Sequence, residues 1–139
     1  MNKKTVLFLC THNSCRSQIA EGLLNSIYAS RYEAKSAGVE ATKVNPYAIE
    51  VMKEIGIDLS KHYSKSIEEF SDEKFDFVVT VCNTAKETCP FFPGKKIIHK
   101  AFDDPSSFEG SIEDTLSVFR GTRDEIKNWI EGTFGDNYV

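Results

Sequence analysis

One polar segment limits the fold of this chain more than any other, because it lies between an apolar run and a helical pattern. The segment is C-T-H-N-S-C-R-S at residues 10–17. The apolar run at 5–9 predicts a buried strand, and the residues after Ser17 place apolar side chains at the spacing of one helix face. Cys10 and Arg16 are therefore expected in a loop that joins a strand to the N-terminus of a helix.

A loop in this position predicts a site for an oxyanion. Backbone N–H groups of residues 11–17 can point at one tetrahedral anion, the helix N-terminus adds a positive partial charge, and the Arg16 guanidinium offers two parallel donors. A cysteine attacks only as thiolate, and positive potential must lower its ordinary pKa of about 8.5. Cys10 is the candidate nucleophile of such a site. The alternative is that Cys10 only packs at the end of a buried strand.

Composition indicates a single domain, 1–139, because a chain of 139 residues with 40% hydrophobic content can bury one core and is too short for two. The apolar runs are much shorter than a membrane span, and Met1–Lys4 leads directly into a strand, so we expect no signal peptide and no membrane contact. We therefore expect a cytoplasmic protein. The net charge of −4 disfavours nucleic acid as a partner.

Apolar and β-branched runs alternate with helical patterns along the chain. The predicted strands are Thr5–Cys10, Tyr32–Ala37, Phe75–Val81 and Lys96–Phe102. The predicted helices are Ser17–Ser30, Pro46–Ile55, a short one at Ser66–Phe70, a short one from Asn83, and a long one from Ser111 to about Glu131. This order predicts an α/β fold with an open four-stranded parallel sheet and helices on both faces. Ligands of such folds bind at the carboxyl ends of the strands, where Cys10, Cys82 and Asp104 are expected.

Four cysteines are candidates for chemistry rather than for structural disulfides, because cytoplasmic thiols stay reduced unless they are catalytic or sensing. They are Cys10, Cys15, Cys82 and Cys89. Zinc binding together with His12, His62 or His99 is the alternative. The pair of spacings, Cys-x4-Cys and Cys-x6-Cys, does not match the usual zinc knuckles, so we expect no zinc site.

Several short segments resemble one known family over nearly the whole chain. They are C-T-H-N-S-C-R-S-Q-I-A-E at 10–21, S-A-G at 36–38, N-P-Y-A at 45–48, V-V-T-V-C-N at 78–83, D-D-P at 103–105, and the cysteine pair at 82 and 89. Together they resemble the thioredoxin-coupled arsenate reductases, which are built on the low-molecular-weight protein tyrosine phosphatase fold. The resemblance implies that fold, reduction of arsenate, thioredoxin as the partner and no required cofactor.

The resemblance also implies a role for each site residue. Cys10 would be the nucleophile, and Arg16 with the loop amides would clamp the oxyanion. Ser17 would assist the thiolate, and Asp104 would protonate the leaving oxygen. The remaining residues of the oxyanion-binding loop are Thr11, His12, Asn13, Ser14 and Cys15.

The family relay implies that Cys82 attacks the Cys10 sulfur as arsenite leaves, and that Cys89 then attacks Cys82 to leave a Cys82–Cys89 disulfide for thioredoxin. The spacing of seven residues between Cys82 and Cys89 limits how the disulfide can form. Seven residues of helix separate two Cα atoms by ~10.5 Å, whereas a disulfide requires about 4.4–6.8 Å. If residues 83–88 are helical in the reduced protein, the bridge must unwind them, and we predict a redox-driven order-to-disorder change across 82–94.

The resemblance also bears on His12, on Cys15 and on a potassium site next to the loop. His12 stands where glycine is common in the family, and we expect its side chain to face solvent. Cys15 is expected to be structural or an off-path oxidation partner of Cys10. A potassium ion is implied at Asn13, Glu21 and Ser36. Lys65 stands where some relatives carry an aspartate ligand, and its ammonium would repel that ion.

Two other functions stay open on the sequence. A tyrosine phosphatase would use the same loop, although such enzymes usually carry a tyrosine after the D-P pair, and Ser106-Ser107 follows here. A non-catalytic redox sensor would oxidise Cys82 and Cys89 without turning over any oxyanion.

Overall fold

The computed structural model describes residues 3–83, 87 and 89–135. Within them the strands are β1 (Lys4–Cys10), β2 (Tyr32–Gly38), β3 (Phe77–Thr80) and β4 (Lys96–His99). The α-helices are α1 (Arg16–Ile27), α2 (Pro46–Lys53) and α3 (Ile112–Phe134), with short 3-10 helices at Ile67–Phe70 and Pro105–Ser107. Strands and helices thus alternate through the first half of the chain, as the sequence pattern predicts.

The strands form one parallel sheet in the order β2-β1-β3-β4. β1 is central, and its last residue, Cys10, pairs with Gly38 of β2. On its other side, Leu9 pairs with Thr80 near the end of β3. The carboxyl ends of β1 and β3 therefore lie side by side, and the predicted α/β fold with a four-stranded parallel sheet is confirmed.

Both faces of the central strand are buried, as a parallel sheet requires. Phe8 faces a cluster to which all three α-helices contribute, for example through Leu23 and Phe119. Leu7 faces a smaller cluster that contains Phe70 of the first 3-10 helix. Helices therefore cover both faces, but unequally, with the three α-helices on one face. No helix in the described part of the chain combines the length and the apolar character needed to cross a membrane.

Several element ends differ from the predicted ones. α3 continues to Phe134 because Ile130 and Phe134 extend its buried stripe. α2 ends at Lys53, before Gly56, whose φ of 80° stops the helix. β4 ends at His99, although the Phe102 N–H still donates to the carbonyl of Val81. The helix predicted from Asn83 falls largely on 84–86 and 88, which lie outside the described residues.

Candidate active site

Cys10 lies where β1 enters the polar loop, and its side chain is 2% exposed. Its Sγ is 2.9 Å from the Oγ of Ser17 in the first turn of α1. The Ser17 Oγ in turn accepts a hydrogen bond from Asn13 Nδ2 at 2.7 Å. Because that bond occupies an acceptor position of the hydroxyl, the Ser17 proton is free to point at the sulfur, where it would stabilise a thiolate.

Asn13 holds the shape of the loop. Its φ of 53° is the only positive value among the described non-glycine residues, in a region that asparagine tolerates better than most side chains. The buried Oδ1 accepts hydrogen bonds from Gln18 Nε2 at 2.9 Å and from Lys65 N at 2.8 Å. His12 has a negative φ and faces solvent, as expected, with Nε2 3.3 Å from Glu40. The loss of a family glycine therefore causes no backbone strain at this position.

Arg16 begins α1 and is only 2% exposed. Its two terminal nitrogens donate to the carboxylate of Glu87 at 2.5 and 2.6 Å, and Nη1 also donates to the carbonyl of Phe102 at 3.1 Å. Burial lowers the pKa of Arg16, but the hydrogen bonds from its guanidinium to Glu87 outweigh that effect and raise it. A permanent positive charge is thus buried beside Cys10, and an acidic side chain compensates it.

Glu87 is a site residue that sequence reasoning missed. Its carboxylate also accepts hydrogen bonds from Thr11 Oγ1 at 2.7 Å and from the Asn83 amide at 3.0 Å. Burial raises the pKa of Glu87, yet the bonds from Arg16 and Thr11 lower it to about 2. One signal could have drawn attention to it, because Glu87 is the single carboxylate between Cys82 and Cys89.

Cys82 and Cys89 form a disulfide with a Cα–Cα distance of 5.9 Å. That distance is far below the ~10.5 Å of two helical turns, so the two cysteines do not lie on consecutive turns of one helix here. Cys82 is fully buried and Cys89 is half-buried. The amide of Val81, one residue before Cys82, donates to the carbonyl of Leu9 at 2.9 Å. The sheet therefore places Cys82 next to the end of β1, where Cys10 lies.

Asp104 reaches the same place from the segment after β4. Its Oδ1 caps the second 3-10 helix by accepting from the amide and hydroxyl of Ser106, and its Oδ2 is 3.7 Å from Arg16 Nη2. Asp103 instead accepts a hydrogen bond from Asn83 Nδ2. A small cavity of about 10 Å³, room for about one water molecule, separates these groups. Its lining residues are Cys10, His12, Ser14, Cys15, Arg16, Asp104 and Ser106.

Cys15 is buried beneath the loop, and both Cys10 and Cys15 are free thiols. Burial raises the pKa of Cys15 to about 12, so this thiol stays protonated and is a poor nucleophile at neutral pH. The structure thus separates two loop cysteines by their surroundings. Cys10 has the Ser17 hydroxyl at 2.9 Å, whereas at Cys15 burial outweighs the contact of 3.4 Å with the Ser14 hydroxyl and raises the pKa.

The three residues implied for potassium do come together, but a lysine lies among them. Ser36 Oγ donates to Glu21 Oε1 at 2.5 Å, and the buried Lys65 ammonium is 3.7 Å from the same oxygen. The Lys65 amide also uses Asn13 Oδ1. Because Lys65 already supplies the positive charge beside Glu21, this residue set does not fit a cation. The described residues also contain no group of three or more His, Cys, Asp or Glu side chains that could hold a metal.

Fold and loop together define a class, the small phosphatase-like α/β proteins with a cysteine and an arginine in one anion-binding loop. Residues 5–135 match the low molecular weight phosphotyrosine protein phosphatase family, and the chain belongs to this family. An arsenate reductase from Halalkalibacterium halodurans is 47% identical over 137 residues, 98% of each chain.

Solved structures of arsenate reductases have a similar fold. An arsenate reductase in the phosphate binding state has a TM-score of 0.78 at 34% identity and covers 93% of this chain and 95% of its own. A thioredoxin-dependent arsenate reductase from Corynebacterium glutamicum has a TM-score of 0.61 at 28% identity and covers 93% of this chain and 62% of its own. Fold and relatives therefore agree over almost the entire chain.

Proposed function

We propose that this chain is a cytoplasmic, single-domain arsenate reductase over residues 1–139 that thioredoxin recycles. One observation carries the proposal beyond the phosphatase family, and it is the Cys82–Cys89 disulfide beside the Cys10 loop. A phosphatase needs only the loop cysteine, because water hydrolyses its phosphoenzyme. Two further thiols that can form a disulfide supply the two electrons that reduction of arsenate requires.

In the first step the Cys10 thiolate attacks arsenic and a hydroxyl group leaves. Ser17, with its Oγ 2.9 Å from the sulfur, stabilises the thiolate. Arg16 and the amides of residues 11–17 hold the oxyanion, because a planar guanidinium and a ring of N–H donors match its charge and shape. Asp104 supplies the proton that turns the leaving hydroxide into water, which fits its place on the cavity wall. The product is a Cys10–arsenic adduct.

In the second step the Cys82 thiolate attacks the Cys10 sulfur. The sulfur–arsenic bond breaks, its electron pair goes to arsenic, and arsenite leaves as a Cys10–Cys82 disulfide forms. Cys89 then attacks the Cys82 sulfur and releases the Cys10 thiolate. The hydrogen bond from the Val81 amide to the Leu9 carbonyl supports the attack of Cys82 on Cys10. It joins the residues that directly precede these two cysteines. No cofactor takes part, and Lys65 makes a potassium ion unnecessary.

The relay is tested by arsenite release with purified thioredoxin, thioredoxin reductase and NADPH. We expect sustained turnover from the wild type, none from Cys10→Ser or Cys82→Ser, and at most one arsenite per chain from Cys89→Ser. Hydrolysis of a small aryl phosphate is the internal control, since Cys82→Ser and Cys89→Ser leave the anion loop intact and should retain it. Sustained turnover by Cys89→Ser would contradict the relay.

The same assay separates the two rival functions. Phosphatase activity is favoured as a second activity by the family itself and by a loop that binds phosphate and arsenate alike. A pure phosphatase would hydrolyse the aryl phosphate and release no arsenite. A redox sensor would oxidise Cys82 and Cys89 and do neither.

A further inference from the structure

Glu87 binds the two side chains of the Cys10 loop that are best placed to bind an oxyanion. We propose that in the oxidised protein the Glu87 carboxylate occupies the place of the oxyanion and excludes substrate until the Cys82–Cys89 disulfide is reduced. The inference rests on the proposed function, since it assigns Glu87 a part in controlling that same site.

The contacts of Glu87 are those of a bound anion. Arg16 meets the carboxylate with two parallel bonds of 2.5 and 2.6 Å, the geometry by which guanidinium groups hold carboxylates and phosphates. The Thr11 hydroxyl, from the same loop, adds a bond of 2.7 Å to Oε1. An arsenate or phosphate that bound the same terminal nitrogens of Arg16 would have to displace Glu87.

The space beside Cys10 is also narrow in this state. The cavity bounded by Cys10, Arg16 and Asp104 measures about 10 Å³, enough for about one water molecule. The Nε of Arg16 is a buried donor without a hydrogen-bond partner among the described residues. A carboxylate therefore satisfies only part of the guanidinium, and Nε remains available to an anion with more oxygens.

The position of Glu87 depends on the disulfide. Glu87 lies two residues before Cys89, and Asn83 lies one residue after Cys82. The Glu87 amide donates a hydrogen bond to the Asn83 carbonyl at 3.0 Å. The Asn83 amide returns a bond of 3.0 Å to Oε2 of Glu87. With Cα atoms 5.9 Å apart, the bridge ties Cys82, beside Asn83, to Cys89, two residues after Glu87. Closing a short loop raises the effective concentration of the carboxylate at Arg16, and opening the bridge lowers it.

This arrangement makes oxyanion binding and disulfide formation mutually opposed. After Cys89 has closed the bridge, Glu87 takes the guanidinium that arsenite has left, so the buried Arg16 charge is compensated. A new oxyanion binds when the reductant has opened the bridge. By thermodynamic linkage the effect also works in the opposite direction. An anion that binds the reduced protein more tightly than the oxidised protein favours reduction of the disulfide. Glu87 is thus a positioning residue that sets the order of the cycle.

The test is calorimetric titration of oxidised and reduced protein with inorganic phosphate, for the wild type and Glu87→Gln. Glutamine keeps the size of the side chain but loses the charge that binds Arg16. We expect oxidised wild type to bind phosphate at least about tenfold more weakly than reduced wild type. Oxidised Glu87→Gln should bind within about threefold of its reduced form. Glu113→Gln, an exposed residue in the first turn of α3, is the matched charge control and should behave as wild type.

Equal phosphate affinity of the two wild-type redox forms would overturn the proposal, and so would oxidised Glu87→Gln that binds as weakly as oxidised wild type. A second measurement needs no variant. Phosphate should raise the reduction potential of the wild-type disulfide by about 30 mV for each tenfold preference for the reduced form. An unchanged potential at saturating phosphate would also refute it. Neither experiment measures arsenite, so a failed reductase assay and a failed Glu87 proposal remain distinguishable.

Discussion

Arg16→Lys is the substitution that most directly tests the anion-binding loop. The arginine is 2% exposed and presents two terminal nitrogens to one carboxylate at 2.5 and 2.6 Å, the places that an oxyanion would take. Lysine keeps the charge but offers a single ammonium, so one charged hydrogen bond is lost. Such a bond contributes about 1.5–3 kcal/mol. At about 1.4 kcal/mol per tenfold, kcat/KM for arsenate should fall roughly 10- to 140-fold.

The assay is a single turnover, in which fully reduced protein is mixed with arsenate and arsenite is measured without thioredoxin. The slope of rate against arsenate concentration gives the second-order constant and is independent of the recycling step. Arg120→Lys is the matched control, because Arg120 also holds a carboxylate, that of Glu54, with Nε and Nη2. That pair joins Arg120 on α3 to Glu54 just after α2 at the protein surface, so its loss should change stability little and leave the rate unchanged. Arg16→Lys with a rate constant within threefold of wild type would refute the assignment.

The remaining predictions concern single contacts. Ser17→Ala removes the hydroxyl 2.9 Å from Cys10 Sγ, and alkylation of Cys10 by iodoacetamide at neutral pH should slow roughly fivefold, since one hydrogen bond contributes about 1 kcal/mol. Glu87 has a pKa of about 2, lowered from 4.5, so its contribution to the unfolding free energy of the oxidised protein is complete above pH 4.5 and is lost as pH falls towards 2. Denaturant titrations of wild type and Glu87→Gln should therefore converge in acid, and a constant difference down to pH 2 would contradict this. Replacement of potassium by choline at equal ionic strength should leave arsenite release unchanged, because Lys65 lies beside Glu21; a clear loss of rate would show that a cation is needed.

Features encoded in one stretch of chain could be predicted from the sequence. The strand, loop and helix around Cys10 follow from residues that are adjacent in sequence, and Ser17 is the second residue of α1. The parallel sheet follows from the alternation of apolar runs and helical patterns. That Cys10, Cys82 and Asp104 lie close together is predicted by one further rule, that the carboxyl ends of parallel strands lie at the same edge of the sheet.

The contacts that the sequence did not reveal join distant segments. Arg16 and Glu87 are 71 positions apart, and the Asn13 side chain meets Lys65 across 52 positions. No local pattern marks such a pair, because the motif that predicts the role of Arg16 does not specify which distant carboxylate will meet it. The charge balance around Arg16 is therefore decided by how the loops after β1 and β3 meet, which a linear pattern does not specify.

Burial of the sulfur atoms gives the proposed relay a direction. Cys10 is 2% exposed and Cys82 is fully buried, whereas Cys89 is half-buried at the end of the relay. A protein reductant that attacks a disulfide needs access to one sulfur, and here the accessible one is Cys89. Attack there releases Cys82 as a thiolate inside the protein, next to the strand end that carries Cys10. The two electrons therefore enter at the surface and leave both Cys82 and Cys89 reduced, and the buried Cys82 can then attack the next Cys10–arsenic adduct from inside the protein.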